Sequence, residues 1–175
     1  EEGNPVGTWT QWSRDNENRL RKTGEIIFEA GAGRWREWDP NTLVVIRAGD
    51  YENWERSGLW KSWDPQEVLV SEGEYIQGNK VGKWTWYKEG EDKGWQENYN
   101  NGVLNGKFNN LSPYADIRGV GTYNEGIKTG DWEEYYSSID GSLERSQTGS
   151  YQFGKKVGIW SLYAKNGRRV AEGTY

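Results

Sequence analysis

The sequence predicts an all-β protein, an elongated antiparallel meander of about seven stacked β-hairpins with about 14 strands. A glycine followed two residues later by an aromatic residue recurs seven times, at spacings of 24 to 28 residues. A bulky residue lies seven positions before each of these glycines from the second onward. No segment shows the 3.6-residue apolar period of a helix. Fixed periods of this length are typical of repeat architectures. Residues 1–175 are therefore predicted to form a single array of seven repeats.

The repeated positions form two columns along the sequence. The glycine–aromatic pairs are Gly7/Trp9, Gly33/Trp35, Gly58/Trp60, Gly82/Trp84, Gly106/Phe108, Gly130/Trp132 and Gly158/Trp160. The preceding bulky residues are Ile26, Tyr51, Tyr75, Tyr99, Tyr123 and Tyr151, and Tyr175 ends the chain in the same phase.

Each repeat is predicted to contain two strands joined by polar turns. The turns carry proline, aspartate, asparagine and glycine, as in Asp39-Pro40-Asn41, Asp64-Pro65-Gln66 and Lys165-Asn166-Gly167. The Asn-Gly pair is the strongest short hairpin signal in the chain. The predicted strands lie near residues 21–28, 33–38, 42–48, 58–63, 68–75, 82–87, 95–99, 117–123, 130–135, 144–151, 158–163 and 168–175. Two more are predicted around Trp9 and Trp12 in the first repeat and around Phe108 and Leu111 in the fifth.

The columns are expected to be architectural. The glycine before each tryptophan is predicted to adopt a positive φ or to let another backbone approach, with the ring packed over it. The next aromatic residue lies three positions after the first, as in Trp60/Trp63 and Trp84/Tyr87. In a regular strand this spacing places the two rings on opposite faces. Either both faces of the sheet are covered, or a bulge redirects one ring.

This pattern resembles the MORN repeat, in the bacterial variant found in YwqK-type antitoxin-like proteins. Gly73–Tyr87 and Gly149–Tyr163 match best, and the resemblance covers essentially the whole chain. The copies depart from the pattern at Ile26, Glu29, Trp54, Glu97 and the Phe108/Leu111 pair. The resemblance implies stacked β-hairpins and a role in protein or lipid association, and it implies no catalytic residue.

Composition limits the functions that the chain can perform. Cysteine and histidine are both absent, which excludes thiolate chemistry and removes the commonest general base and metal ligand. The net charge is −5 with both signs interspersed, so no nucleic-acid partner is expected. No apolar run approaches the roughly 18 residues of a membrane span. The acidic turn at Glu89, Glu91 and Asp92 is interpreted as solvated charge, and no metal, cofactor or enzymatic activity is predicted.

Two sets of residues are candidates for contact with a partner. The first contains aromatic residues outside the columns: Trp54, Trp86, Trp95 and Tyr114. The second lies at the two ends, where the phase of Tyr175 matches that of the first repeat: Gly3, Trp9, Trp12, Arg169, Val170 and Tyr175. Terminal strands offer unpaired backbone groups, so a head-to-tail filament of copies is one hypothesis.

Three functional hypotheses remain open at this stage. The chain is interpreted as a non-enzymatic protein-interaction scaffold, antitoxin-like in the sense of the resemblance, or as a self-assembling structural subunit. The alternative is a carbohydrate- or choline-binding module that uses surface aromatics. The absence of methionine, even at position 1, favours a processed, extracellular or cell-surface protein, although a cytoplasmic fragment remains an alternative.

Overall fold

The protein is all-β, with no helix among the described residues, and its strands form antiparallel meanders. The computed structural model describes residues 7–87, 94–111, 118–136 and 143–175. The backbone divides into two compact units, unit 1 (Glu1–Gly90) and unit 2 (Glu91–Tyr175). The single seven-repeat array remains a prediction.

Within each unit the long strands pair in sequence order. Unit 1 contains β1 (Gly7–Arg14), β2 (Leu20–Phe28), β3 (Gly33–Trp38), β4 (Val45–Glu52), β5 (Glu55–Trp63), β6 (Leu69–Ile76) and β7 (Asn79–Trp86). Unit 2 contains β8 (Trp95–Asn100), β9 (Val103–Leu104), β10 (Gly106–Asn110), β11 (Gly119–Asn124), β12 (Ile127–Tyr135), β13 (Arg145–Gln152), β14 (Lys155–Tyr163) and β15 (Arg169–Thr174). The two-residue strand β9, which was not predicted, pairs with β8 and lies outside the main strand order.

A β-bulge at the repeated glycine shapes each regular hairpin junction. Between β4 and β5, Ala48 pairs with Lys61 and Asp50 pairs with Ser57, so Gly49 alone faces the three residues 58–60. The bulge glycine Gly58 has a φ of +64°, and Gly82, Gly130 and Gly158 have nearly the same value. Glycine adopts this left-handed conformation without steric cost. The predicted positive φ is therefore confirmed at these positions, whereas Gly33 does not have it.

The tryptophan ring does not pack over the glycine that precedes it, and that part of the prediction is wrong. No atom lies within 4 Å of the Cβ position of Gly58, Gly82 or Gly130. Each ring instead covers a glycine eleven residues earlier, on the preceding strand. A Cβ on those glycines would lie less than 3.0 Å from the indole, in the pairs Gly24/Trp35, Gly49/Trp60, Gly73/Trp84, Gly121/Trp132 and Gly149/Trp160. The bulge explains this placement because it turns the ring toward the neighbouring strand.

Alternating tyrosine and tryptophan rings form the core of each unit. In unit 1 the edge-to-face contacts run from Phe28 through Tyr51, Trp60 and Tyr75 to Trp84, with centroids 5.1–5.9 Å apart. In unit 2 they run from Phe108 through Tyr123, Trp132, Tyr151 and Trp160 to Tyr175, at 5.0–6.4 Å. Edge-to-face pairs are worth roughly 0.5–1.5 kcal/mol beyond the area they bury. The ring ladder thus replaces the aliphatic core that the sequence lacks.

The fifth repeat shows how the ladder tolerates a lost glycine. Glu97 occupies the position eleven residues before Phe108, where other repeats have the ring-covered glycine. Because Glu97 carries a Cβ, the smaller phenyl ring suits this position better than an indole. Phe108 remains buried and packs against both Tyr123 and Trp132.

Candidate interaction surfaces

The face that carries the ring ladder, here called the aromatic face, also carries a column of cations. Arg56, Lys80, Lys128 and Lys156 each lie four residues before a column tryptophan, 4.3–4.6 Å above its ring centroid. Each also lies 5.1–5.3 Å from a second aromatic ring. Cation–π contacts of this kind stabilise each repeat. This column was not predicted, although its constant position four residues before a tryptophan is visible in the sequence.

A chain of hydrogen bonds crosses the aromatic face of unit 2. The Glu134 carboxylate accepts from Lys128 Nζ at 2.5 Å, from the Tyr151 hydroxyl at 3.0 Å and from the amide of Gln147. Lys156 donates to the amide oxygen of Gln147 at 2.7 Å. Burial opposes ionisation of Glu134, but Lys128 and the other donors hold its pKa below the usual range. These bonds link three neighbouring strands, β12, β13 and β14, across one face of the sheet.

The opposite face carries the second aromatic residue of each pair, among ion pairs. The hydroxyl of Tyr87 donates to Glu72 at 2.6 Å, and Glu72 also meets Lys61 at 3.1 Å. In unit 2 the Tyr135 hydroxyl donates to Glu133, whereas the neighbouring Glu134 lies on the aromatic face and accepts from the Tyr151 hydroxyl. Successive strand residues point to opposite faces. Tyr87 and Tyr135 therefore lie on the face opposite the column rings. Both alternatives left by the sequence apply, because both faces carry aromatic residues and a bulge also directs each regular column ring.

The predicted contact aromatics outside the columns are half-buried where they are described. Trp54 occupies a turn with a φ of +63°, and its ring packs over Gly31. Its backbone N–H donates to the Gly31 carbonyl, as the turn glycines of other repeats do to the preceding hairpin. The ring centroid of Trp86 lies 6.0 Å from that of Trp84, the last ring of the unit 1 ladder, and Trp95 begins β8. Tyr114 lies outside the described residues. A binding role for these residues remains a prediction.

The two terminal strands are the most exposed elements that the structure describes. In β1, seven of eight residues are exposed, and in β15 all six are. Among the described residues, β1 pairs only with β2 and β15 only with β14. Trp9 and Trp12 are 55% and 54% exposed, whereas the column residues Trp132 and Trp160 are 1% and 0% exposed.

The predicted assembly residues at the other end are equally open. Tyr175 is 63% exposed and Val170 is 52% exposed. Arg169 pairs with Glu172 at 2.6 Å. A Cβ on Gly173 would meet only Tyr175, at 4.0 Å, although the corresponding interior glycines are covered by indole rings. Gly3 lies outside the described residues.

A groove on the aromatic face of unit 1 is a further candidate interaction surface. It has a volume of about 500 Å³ and reaches from Trp9 on β1 to Arg56 on β5. The ion pair between Arg47 and Glu37, 3.0 Å long, lies along it, together with the rings of Trp35, Phe28 and Tyr51. Position 31, four residues before Trp35, is glycine, so this repeat lacks the cation that lies over Trp60, Trp84, Trp132 and Trp160. The groove therefore places the half-buried rings of Trp35 and Tyr51 beside polar groups.

Comparisons with known proteins do not identify a family for this chain. No protein-family model matches it, and no curated protein sequence shows significant similarity to it. The class that the fold defines is an all-β hairpin-repeat protein. In the part of the chain that the structure describes, no helix is long and apolar enough to cross a lipid bilayer. The same residues contain no cluster of acidic side chains suited to hold a metal ion.

Proposed function

We propose that this chain is a non-enzymatic interaction and assembly protein that pairs with other polypeptides through its terminal β-strands. The observation that supports the proposal is the character of β1. This strand is eight residues long and carries two exposed tryptophans, and its one charged residue, Arg14, lies at its end. Natural proteins protect edge strands with charge, proline or a covering element, and the uncharged stretch from Gly7 to Ser13 has little such protection against strand pairing.

The second terminal strand is compatible with the same role. Backbone groups along the free edge of β15 can accept a further antiparallel strand, as in β-strand addition. The resemblance to MORN repeats is consistent with protein association. The proposal includes an extracellular or cell-surface location for the protein and a filament as the product of its assembly.

Sedimentation of the 175-residue polypeptide over a wide concentration range tests the proposal. We expect reversible association that rises with concentration. Placing glutamates on the β1 edge, in Thr8→Glu/Thr10→Glu, should suppress it because charged edges do not pair. The variant Asn16→Glu/Asn79→Glu adds the same charge outside β1 and β15 and should associate normally. A polypeptide that stays monomeric at the highest concentrations would refute the proposal.

The groove of unit 1 favours a second candidate function, the binding of a glycan. Sugar rings stack on aromatic side chains, and the Arg47–Glu37 pair and Gln11 can bond hydroxyl groups. Titration with soluble oligosaccharides, followed by tryptophan fluorescence, tests this candidate. Gln11→Ala should weaken the response, whereas Gln66→Ala, in an exposed turn outside the groove, should not. A fluorescence response that is unchanged by Gln11→Ala, or absent for every oligosaccharide tried, argues against it.

A further inference from the structure

Inside each unit, the column tryptophan of one repeat makes the same contacts with the preceding strand. Each column ring covers the glycine eleven residues earlier, as Trp84 covers Gly73 and Trp160 covers Gly149. The indole N–H donates to the carbonyl ten residues earlier, at 3.0–3.2 Å in Trp60, Trp84, Trp132 and Trp160. The ring also meets the tyrosine nine residues earlier, 5.0–5.5 Å away and nearly perpendicular. Three groups therefore receive each ring: a glycine, a carbonyl and a tyrosine.

The last strand, β15, and the following Tyr175 present the same three groups. Among the described residues, no following tryptophan ring packs on them. Gly173, the Thr174 carbonyl and Tyr175 stand in the positions of Gly149, Ser150 and Tyr151 one repeat earlier. Tyr175 contacts Trp160 on one side at 6.4 Å, as Tyr151 contacts Trp132 at 6.1 Å. Lys156 Nζ lies 5.2 Å from its ring centroid, but among the described residues no second tryptophan contacts Tyr175 as Trp160 contacts Tyr151, and Tyr175 is 63% exposed. We call these three groups the C-terminal ring site.

The first strand presents a ring in the matching position. When Trp9 of a second copy is placed over Gly173 as Trp160 lies over Gly149, its Gly7 takes the place of the bulge glycine Gly158. Gly7 already has a φ of +85°, although among the described residues β1 pairs only with β2. Trp12 lies three residues beyond Trp9 and has no glycine two residues before it. The ring on β1 therefore has the bulge glycine of an interior ring, and β15 has the three groups that contact such a ring.

We propose that β15 of one copy pairs with β1 of a second copy in the register of the interior hairpins, with Trp9 in the C-terminal ring site. This inference rests on the proposed function and names the partner and the register. In β6 and β7, Glu72 pairs with Thr85 and Ser71 with Trp86. The same register between copies places Glu172 opposite Thr10 and Ala171 opposite Gln11. Trp9 then donates its indole N–H to the Thr174 carbonyl and packs edge-to-face on Tyr175. Since this contact joins different surfaces, it leaves one end free to bind again.

Cysteine trapping tests the register directly, because the native chain contains no cysteine. Separate Thr10→Cys and Glu172→Cys chains are mixed under mild oxidation, and disulfide-linked dimers are quantified by non-reducing electrophoresis. We expect the mixture to form mixed dimers at least about 10-fold faster than a mixture of Thr10→Cys with Val170→Cys, which lies two residues out of register. Disulfides require Cβ atoms roughly 3.5–4.5 Å apart, so the control pair should be too distant.

The possible outcomes separate this inference from the function on which it rests. Equal rates for the two mixtures, or dimers only between identical chains, overturn the register while association through terminal strands stands. No crosslink in either mixture, with normal association in sedimentation, also overturns it. A monomer in sedimentation overturns the proposed function together with the inference.

Substitutions at the ring and at its site test the contact itself. Trp9→Ala should weaken association about 30-fold, as for an interface residue worth about 2 kcal/mol. Trp12→Ala removes a ring of equal exposure on the same strand and should have a much smaller effect. Gly173→Val should weaken association as strongly as Trp9→Ala. The Gly173→Val chain should still fold, because Gly173 lies in an uncrowded extended strand. Equal effects of Trp9→Ala and Trp12→Ala would indicate unspecific apolar attraction and would overturn the inference.

Discussion

The two glycine columns should respond differently to the same substitution, and unit 2 offers a matched pair. Gly121 lies beneath the indole of Trp132, and a Cβ there would be less than 3.0 Å from ring atoms. Gly130 has no atom within 4 Å of its Cβ position but has a φ of +65°. Gly121→Ala therefore creates a steric clash, whereas Gly130→Ala creates only backbone strain.

The structure allows the two costs to be compared. Ordinary contact to a Cβ begins near 3.4 Å, so Trp132 must shift although it is 1% exposed and packed against Phe108, Tyr123 and Tyr151. Overpacking a core costs about 1–3 kcal/mol, and disturbed ring contacts add about 1 kcal/mol. We expect Gly121→Ala to lower the free energy of unfolding by about 3 kcal/mol. A left-handed alanine costs about 1–2 kcal/mol, which is the expectation for Gly130→Ala.

Denaturant unfolding, followed by tryptophan fluorescence and far-ultraviolet circular dichroism, measures both values. Asparagine sharpens the comparison because it tolerates the left-handed region better than alanine does. Gly130→Asn should be more stable than Gly130→Ala, whereas Gly121→Asn should be no better than Gly121→Ala. If Gly130→Ala proved more damaging than Gly121→Ala, the ring would not be the reason for the Gly121 column.

Three further predictions concern charged and titratable groups. Lys128→Met should raise the pKa of Glu134 and lower the free energy of unfolding at neutral pH by about 1–3 kcal/mol. Because the native pKa of Glu134 is lowered, this loss of stability should shrink as the pH falls below about 4. Unfolding measured at several pH values tests this, and an equal loss at all pH values would contradict it. Burial opposes ionisation of Asp15, but hydrogen bonds from Arg19, Arg21 and the Glu17 backbone hold its pKa far below the usual range. Asp15→Asn should therefore destabilise the fold near pH 7 and have a smaller effect in acid below the unfolded-state pKa, as measured by thermal unfolding, and an effect that grew in acid would contradict it. Burial and the nearby Glu134 raise the pKa of Tyr151, so ionisation of this tyrosine favours the unfolded state above about pH 10. Between about pH 9 and 11, Tyr151→Phe should therefore lose less stability than the native chain. A steeper alkaline loss of stability in the variant would argue against this assignment.

Sequence periodicity was sufficient to predict the strand order and the antiparallel hairpins. The constant spacing of Gly58, Gly82, Gly130 and Gly158 before their tryptophans identified the junction between hairpins, and the structure shows a left-handed bulge there. Spacing alone did not show which glycine each ring covers, because the bulge redirects the ring onto the preceding strand. A regular strand gives no reason to expect that change of direction.

The candidate interaction surfaces were predicted less completely. The exposure of Trp9, Trp12 and Tyr175 follows from their positions on terminal strands, which sequence order identifies. Trp54 illustrates the limit of pattern arguments: a tryptophan in a turn suggested a binding residue, yet its ring packs over Gly31 of the preceding hairpin. That contact joins residues 23 positions apart, and no local pattern indicates it.

The direction in which the rings reach has a consequence for synthesis on the ribosome. Each indole packs backward onto a glycine that was made eleven residues earlier, and chains are synthesised from the N-terminus. The newest hairpin of a nascent chain therefore always displays an uncovered glycine and a half-covered tyrosine until the next repeat emerges. Each repeat is therefore completed only by the aromatic ring of the repeat that follows it.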